Sequence, residues 1–261
     1  MRRQSGLQKG IIMTEIDNKP YLMAVLSGVA YKEPKDANKT FEKHGFHNHR
    51  FIDKDGAQCY VIWNDISAII CFRGTEPKEM SDIKADLNAL QRKGLHNKGD
   101  VHAGFQGEIN KVWDDLNFTV ADIQDRNIYI TGHSLGGAMA TICAKRLQEE
   151  GIHPHSLYTY GSPRVGDKKW VKTLQVPHYR FQNNNDVVCR VPFWIMGYRH
   201  HGKNIYIGYN GKVSKMNMWR RFLDSMRGRF KAWSKWQFFD GVYDHDITTY
   251  AKRVKDVVLG D

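Results

Sequence analysis

Asn127-Ile-Tyr-Ile-Thr-Gly-His-Ser-Leu-Gly-Gly137 is the stretch that decides the fold class. Its first five residues predict a short buried strand, Asn127–Thr131, and the residues from Ser134 to Glu150 predict a helix. Between them stands a G-x-S-x-G pattern, Gly132-His133-Ser134-Leu135-Gly136, followed by the small residues Gly137, Ala138 and Ala140. A chain that passes from strand to helix within one residue must bend sharply. The serine at the bend takes strained dihedrals, and its neighbours two positions away must be tiny so that strand and helix can approach. The bend lifts the serine Oγ above the sheet, at a helix N-terminus that favours developing negative charge. The pattern by itself is weak evidence; with a strand before it and an amphipathic helix after it, Ser134 reads as a nucleophile.

Outward from this bend the chain alternates. Strands are predicted at Gln58–Trp63, Ile66–Arg73, Ser156–Tyr160, His178–Gln182 and Lys203–Tyr209. Helices are predicted at Asp100–Asp125, at Asp167–Leu174 and from Tyr243 to the end. The run Ile66-Ser-Ala-Ile-Ile-Cys-Phe72 is nearly all apolar, as a strand buried on both faces should be. Helices alternating with such strands imply an α/β fold, a mostly parallel central sheet with helices on both faces.

Composition bounds the rest. The 261 residues carry 39 Lys or Arg and 28 Asp or Glu, a formal charge of +11. With 41% hydrophobic residues, 7 Trp, 12 Tyr and 12 Phe, the chain is not intrinsically disordered. No window approaches about 18 consecutive apolar residues, so no membrane-spanning helix is expected. Cys59, Cys71, Cys143 and Cys189 are scattered and read as free, mostly buried thiols. Tyr21–Ala30 is apolar, but Glu15 and Asp17 stand where a signal peptide needs positive charge. Leu22, Val25, Leu26 and Val29 fit one helix face, so the segment reads as a structural helix. The expected location is cytoplasmic, or outside the cell without a recognisable N-terminal signal.

A serine hydroxyl needs a base and an orienting acid to become nucleophilic. On a strand-turn-helix scaffold of this kind the acid and then the histidine follow the serine in sequence. Asp167 and Asp186 are the candidate acids; Asp167 precedes a helical stretch and reads as an N-cap. Of His178, His200, His201 and His245, spacing favours His245, at the start of the last helix.

At these residues the sequence resembles the class 3 lipases, the fungal-type triacylglycerol lipase group of the α/β-hydrolases. Six ordered blocks carry the resemblance: Phe72-Arg-Gly-Thr75, Val101-His-Ala-Gly-Phe105, Thr131-Gly-His-Ser-Leu-Gly-Gly137, Tyr160-Gly-Ser-Pro-Arg-Val-Gly166, Asn185-Asp-Val-Val188, and Asp244-His245 with Tyr250. The resemblance implies an α/β-hydrolase fold and a serine carboxylester hydrolase cleaving acylglycerol esters. It implies Ser134 as nucleophile, Asp186 as acid and His245 as base, with the backbone N–H groups of Thr75 and Leu135 as the oxyanion hole. His102 matches a family position near the active site and is read as structural support; Arg73, in the same block as Thr75, is expected to brace the oxyanion loop. No cofactor or metal is implied. An esterase for short or soluble esters and a phospholipase are the alternatives among enzymes; a lipid-surface binding module is the alternative outside them.

A single domain over residues 1–261 is expected, with a candidate lid at 76–100. The departure from the fungal pattern is a basic insertion at about 199–238. Residues 199–235 hold ten Lys or Arg against one acid, Asp224. Trp219, Phe222, Leu223, Met226, Phe230 and Trp233 make an apolar stripe through it at helical spacing. The stretch 215–236 therefore predicts a basic amphipathic helix, suited to peripheral contact with anionic lipid surfaces. The expected partner is a lipid or ester substrate. No nucleic-acid motif is present. His44, His47 and His49 cluster without an acid or cysteine to complete a metal site.

Overall fold

The computed structural model describes residues 19–75, 91–93, 98–208, 210–211, 213–214 and 244–259. The stretch 215–236, most of the candidate lid at 76–100 and most of the insertion at 199–238 lie outside the described residues. The elements in chain order are α1 (Lys19–Val29), α2 (Pro34–Lys43), β1 (Asn48–Lys54), β2 (Ala57–Trp63), β3 (Ser67–Phe72), β4 (Gln91–Lys93), β5 (Asp100–His102), α3 (Ala103–Ala121), β6 (Asn127–His133), α4 (Leu135–Glu149), β7 (Ser156–Tyr160), α5 (Lys168–Thr173), β8 (His178–Asn183), β9 (Lys203–Ile207), β10 (Val213–Ser214) and α6 (Ile247–Leu259).

Eight strands form one sheet in the order β1-β2-β3-β6-β7-β8-β9-β10. The run from β3 to β9 is parallel; β1, β2 and β10 pair antiparallel at the two edges. The central parallel strands are buried on both faces: β7 is covered along its whole length, and β3 from Ala68 onward. Helices close both faces. On one side Phe105, Ile109, Val112 and Leu116 of α3 and Met139, Ile142 and Leu147 of α4 pack on Ile70, Ile128 and Leu157. On the other, Met23 and Leu26 of α1, Phe41 of α2, and Tyr250 and Val254 of α6 pack on Tyr60, Ile69, Tyr160 and Phe181. The helical reading of Tyr21–Ala30 holds, because α1 lies in this second layer.

Two expectations shift. A single apolar side was expected for Ser134–Glu150, yet α4 is buried from Gly136 to Leu147 all round, because its small residues let it sink onto the sheet beside α3. The last helix begins at Ile247, not Tyr243, since Asp246 accepts from the Thr249 N–H at 2.9 Å and holds the first turn. All four cysteines are buried and free. Among the described residues no helix is long and apolar enough to cross a membrane.

Candidate active site

Parallel strands end together, so the loops after β3, β6, β7 and β8 meet at one edge of the sheet. Ser134 stands at the bend between β6 and α4 with φ 56° and ψ −129°. A non-glycine residue there stores on the order of 1–3 kcal/mol of strain, which only a firmly held bend sustains. The Ser134 N–H donates to the Tyr160 carbonyl at 3.0 Å, and its carbonyl accepts from Gly137 N–H at 2.9 Å. A side chain on Gly132 would collide with the Gly136 backbone, and one on Gly136 with the Phe72 carbonyl. This is the close approach that the sequence pattern demands.

Asp186 and His245 come together, 59 residues apart in sequence. His245 Nδ1–H donates to both carboxylate oxygens of Asp186, each at 3.0 Å. Asp186 is fully buried and also accepts from Val188 N–H at 2.9 Å and from the Tyr250 hydroxyl at 2.6 Å; Cys189 Sγ lies 3.6 Å away. Burial first, and the neighbouring Asp186 carboxylate second, push the Cys189 thiol and the Tyr250 hydroxyl well above their ordinary values, so both remain neutral donors. The other ring nitrogen of His245, Nε2, is buried and has no hydrogen-bond partner among the described residues. An imidazole protonated at Nδ1 and open at Nε2 is the tautomer that can accept a proton.

The elbow and the histidine meet through His133. Its Nε2–H donates to the His245 carbonyl at 2.6 Å, and its ring lies 4.5 Å from the His245 ring. A carbonyl only accepts, so His133 Nδ1 must accept from the Tyr31 hydroxyl at 2.9 Å. Burial, and then His245 beside it, hold the His133 ring neutral by lowering its pKa well below the ordinary imidazole value. Gly161, at φ 61°, passes beside the acid–histidine pair. A Cβ there would lie 2.8 Å from Asp186 Oδ2 and 2.9 Å from His245 Nδ1. Gly161 stands immediately after β7, where the serine and acid loops converge, and that position was the signal in the sequence for its part in the site.

Thr75 and Leu135 line one cavity of about 420 Å³, together with Gln58, Arg73, Gly74 and Met139. Arg73 Nη1 donates to Gln58 Oε1 at 2.6 Å and its guanidinium lies over the Tyr31 ring. His102 caps α3 by accepting from Phe105 N–H at 3.3 Å and stacks on the Phe105 ring. Asp167 caps α5 by accepting from Trp170 N–H at 2.6 Å, which gives the other candidate acid a structural task. His178, His200 and His201 are not bonded to Asp186. His178 contacts Thr159 and His201, and His200 bonds to the Cys189 carbonyl.

Sequence reasoning missed Asp244. Its carboxylate accepts from Asn184 Nδ2 at 2.9 Å and from Asn185 N–H at 3.0 Å, while Asn183 Nδ2 donates to the Asp244 carbonyl at 2.9 Å. The run Asn183-Asn-Asn185 before one carboxylate, and a second carboxylate beside the histidine, were the signal.

The family model for lipase (class 3) matches residues 69–196. A lipase from Rhizomucor miehei is 37% identical over 121 residues, 42% of this chain and 33% of that protein. Secreted mono- and diacylglycerol lipase A of Penicillium cyclopium is 37% identical over 148 residues, 54% of this chain and 48% of that protein. The chain spans less than half the length of these curated relatives. Rhizomucor miehei triacylglyceride lipase, as a solved structure, superposes with a TM-score of 0.63 at 25% identity, over 74% of this chain and 80% of that one. The α/β-hydrolase architecture, the strained serine bend and these matches agree, and over residues 69–196 the chain is similar to the class 3 lipase family.

Proposed function

We propose that this chain is a serine carboxylester hydrolase that cleaves acylglycerol esters, with Ser134 as nucleophile, His245 as base and Asp186 as the acid that orients it. The observation that carries the reading is the paired bond from His245 Nδ1 to Asp186, with Nε2 unpartnered among the described residues and the ring 4.5 Å from that of His133, the residue before the strained Ser134. The similarity to a mono- and diacylglycerol lipase of Penicillium cyclopium supports the acylglycerol substrate class.

In this reading His245 Nε2 takes the Ser134 hydroxyl proton as Oγ bonds to the ester carbonyl carbon. Asp186 holds the ring and stabilises the imidazolium that forms. The backbone N–H groups of Thr75 and Leu135 bind the tetrahedral oxyanion; loss of one such donor typically costs about 10²–10³ in rate. The carbon–oxygen bond to the glycerol side breaks, and the leaving alcohol takes the proton from Nε2. Water, deprotonated by the same nitrogen, then attacks the acyl-Ser134 ester and releases the fatty acid.

A fluorophosphonate probe and titrated fatty-acid release from a triacylglycerol emulsion test this directly. The native chain labels and hydrolyses; Ser134→Ala does neither, with turnover down by about 10⁴ or more. Labelling or hydrolysis that survives Ser134→Ala would overturn the assignment.

A further inference from the structure

Phe193, Trp194, Ile195 and Met196 are four consecutive large apolar residues, 53%, 63%, 73% and 39% exposed. The other exposed large hydrophobics among the described residues, Ile66, Phe118 and Val213, stand singly in the sequence. Isolated apolar residues on a surface need no explanation; a contiguous group does.

The group is not a loose loop. Trp194–Met196 forms a 3-10 turn, closed by Gly197 at φ 89°. Arg199 Nη1 donates to the Trp194 carbonyl at 2.7 Å and to the Tyr198 carbonyl at 2.8 Å. Arg164 Nη1 donates to the Pro192 carbonyl at 2.8 Å and to the Arg190 carbonyl. The backbone is tied to the loop after β7 as well, through Arg164 N–H to Val191 and Arg199 N–H to Gly166. Pro192 and Tyr198, on either side, are buried. With both ends sunk and four carbonyls held by two guanidinium groups, the side chains between them are presented outward as a unit.

Position and charge select the occupant. The turn begins seven residues after Asp186 and is bonded to the β7 loop, so it lies at the carboxyl edge of the sheet with Ser134. From Val187 to Leu223 the sequence has no carboxylate, while Arg190, Arg199 and Lys203 flank the turn. A second copy docking on a two-fold axis would bring these cations toward their own counterparts, with no acid in the stretch to offset them. An anionic bilayer instead offers hydrocarbon to the apolar side chains and phosphate to the cations, and Trp favours that boundary.

We propose that the Phe193–Met196 turn is a lipid-docking element, inserting Phe193, Trp194 and Ile195 into the interface of an anionic bilayer at the rim of the Ser134 site. This rests on the acyl-ester hydrolase reading for its purpose, not for its physics.

The test uses the full chain with phosphatidylcholine vesicles, with and without phosphatidylglycerol, in a sedimentation assay. Trp194→Glu combined with Ile195→Glu lowers affinity for the anionic vesicles by about tenfold or more. Turnover of a soluble p-nitrophenyl ester stays within about twofold, since the turn touches no reacting atom. Trp194→Phe keeps vesicle binding but loses part of the tryptophan quenching by brominated lipid, and so reads insertion even if the double variant fails to fold. Unchanged vesicle affinity in the double variant, equal loss on the soluble ester, unchanged quenching in Trp194→Phe, or a native dimer that the double variant dissociates without altering vesicle binding would each overturn the proposal. Vesicle binding is also measured on Ser134→Ala: binding without hydrolysis there leaves docking standing whatever becomes of the hydrolase reading.

Discussion

Asp244 Oδ2 accepts hydrogen bonds from both Asn184 Nδ2, at 2.9 Å, and the Asn185 backbone N–H, at 3.0 Å. The loop that delivers Asp186 is thereby fastened to the residue immediately before His245. Arg253 Nη2 lies 3.5 Å from the other Asp244 oxygen and Arg253 Nη1 donates to Asn183 Oδ1, so the last helix is tied into the same junction. The distance between acid and histidine is thus set one residue upstream of each of them.

Asp244→Ala therefore strands two buried donors and releases both loops. A stability loss of about 2–4 kcal/mol is expected from unsatisfied buried groups. At about 2–4 °C per kcal/mol for a chain of this size, the melting temperature falls by about 10 °C. Turnover on a soluble ester falls by about 10² because the Asp186–His245 geometry loosens. Asp244→Asn keeps one acceptor oxygen and should fall between. A variant with native turnover would show that the junction is structural only.

Tyr250→Phe separates positioning from packing. The hydroxyl donates to Asp186 Oδ2 at 2.6 Å and accepts from Asn183 N–H at 2.9 Å, while the ring packs near Tyr160 and His133. Phenylalanine keeps the ring and deletes both bonds. A loss of about tenfold in kcat with little change in KM is expected, the signature of a group acting through Asp186 and not on substrate. A change confined to KM would place the hydroxyl in substrate binding instead.

The sequence made the fold legible where strands are buried on both faces and the bend is chemically constrained. β3, β6, β7 and β8 fall within two residues of their expected bounds; the apolar runs of β3, β6 and β7 stop at or beside a glycine, and β8 stops at the run of asparagines, which leaves few alternatives. The edges were opaque. β1 buries only Ile52 of its seven residues, and α2 only Ala37 and Phe41, so neither shows a strong period. In the site, spacing alone left Asp167 and Asp186 both open, since each begins a loop after a strand. What divides them is local: Asp167 faces the first turn of α5, and Asp186 faces His245. Asp244 was hidden because its partners are backbone and amide groups 59–61 residues away, which no linear pattern records.

The tightness of the bend can be measured with a double-mutant cycle. A Cβ on Gly137 would lie 2.8 Å from the Ser162 Cβ, whereas the next contact, the Gly132 carbonyl, is at 3.1 Å. Gly137→Ala gains helix propensity but meets a close contact costing about 1–3 kcal/mol. Ser162→Gly removes that contact. The double variant should recover at least about 1 kcal/mol relative to the sum of the single changes, read from urea midpoints. Strict additivity would place the strain elsewhere in the elbow.

Acid sensitivity follows from three histidines held neutral, His133 and His178 buried and His200 half-buried. Burial is the leading cause that lowers His133, His178 and His200 well below the ordinary imidazole value of 6.5; His245 adds to it for His133, His201 for His178 and Arg180 for His200. In the unfolded chain each titrates near 6.5, so as pH falls through that value the unfolded state takes up protons that the folded state refuses. Stability is therefore retained above about pH 6.5 and lost below it, by up to about 1.4 kcal/mol per pH unit for each such histidine. Urea midpoints between pH 7 and pH 5 should fall steeply. His178→Gln or His200→Gln should flatten the slope by about one proton each, even if it lowers stability at neutral pH. A slope that neither substitution changes would mean that those two rings already titrate in the folded chain.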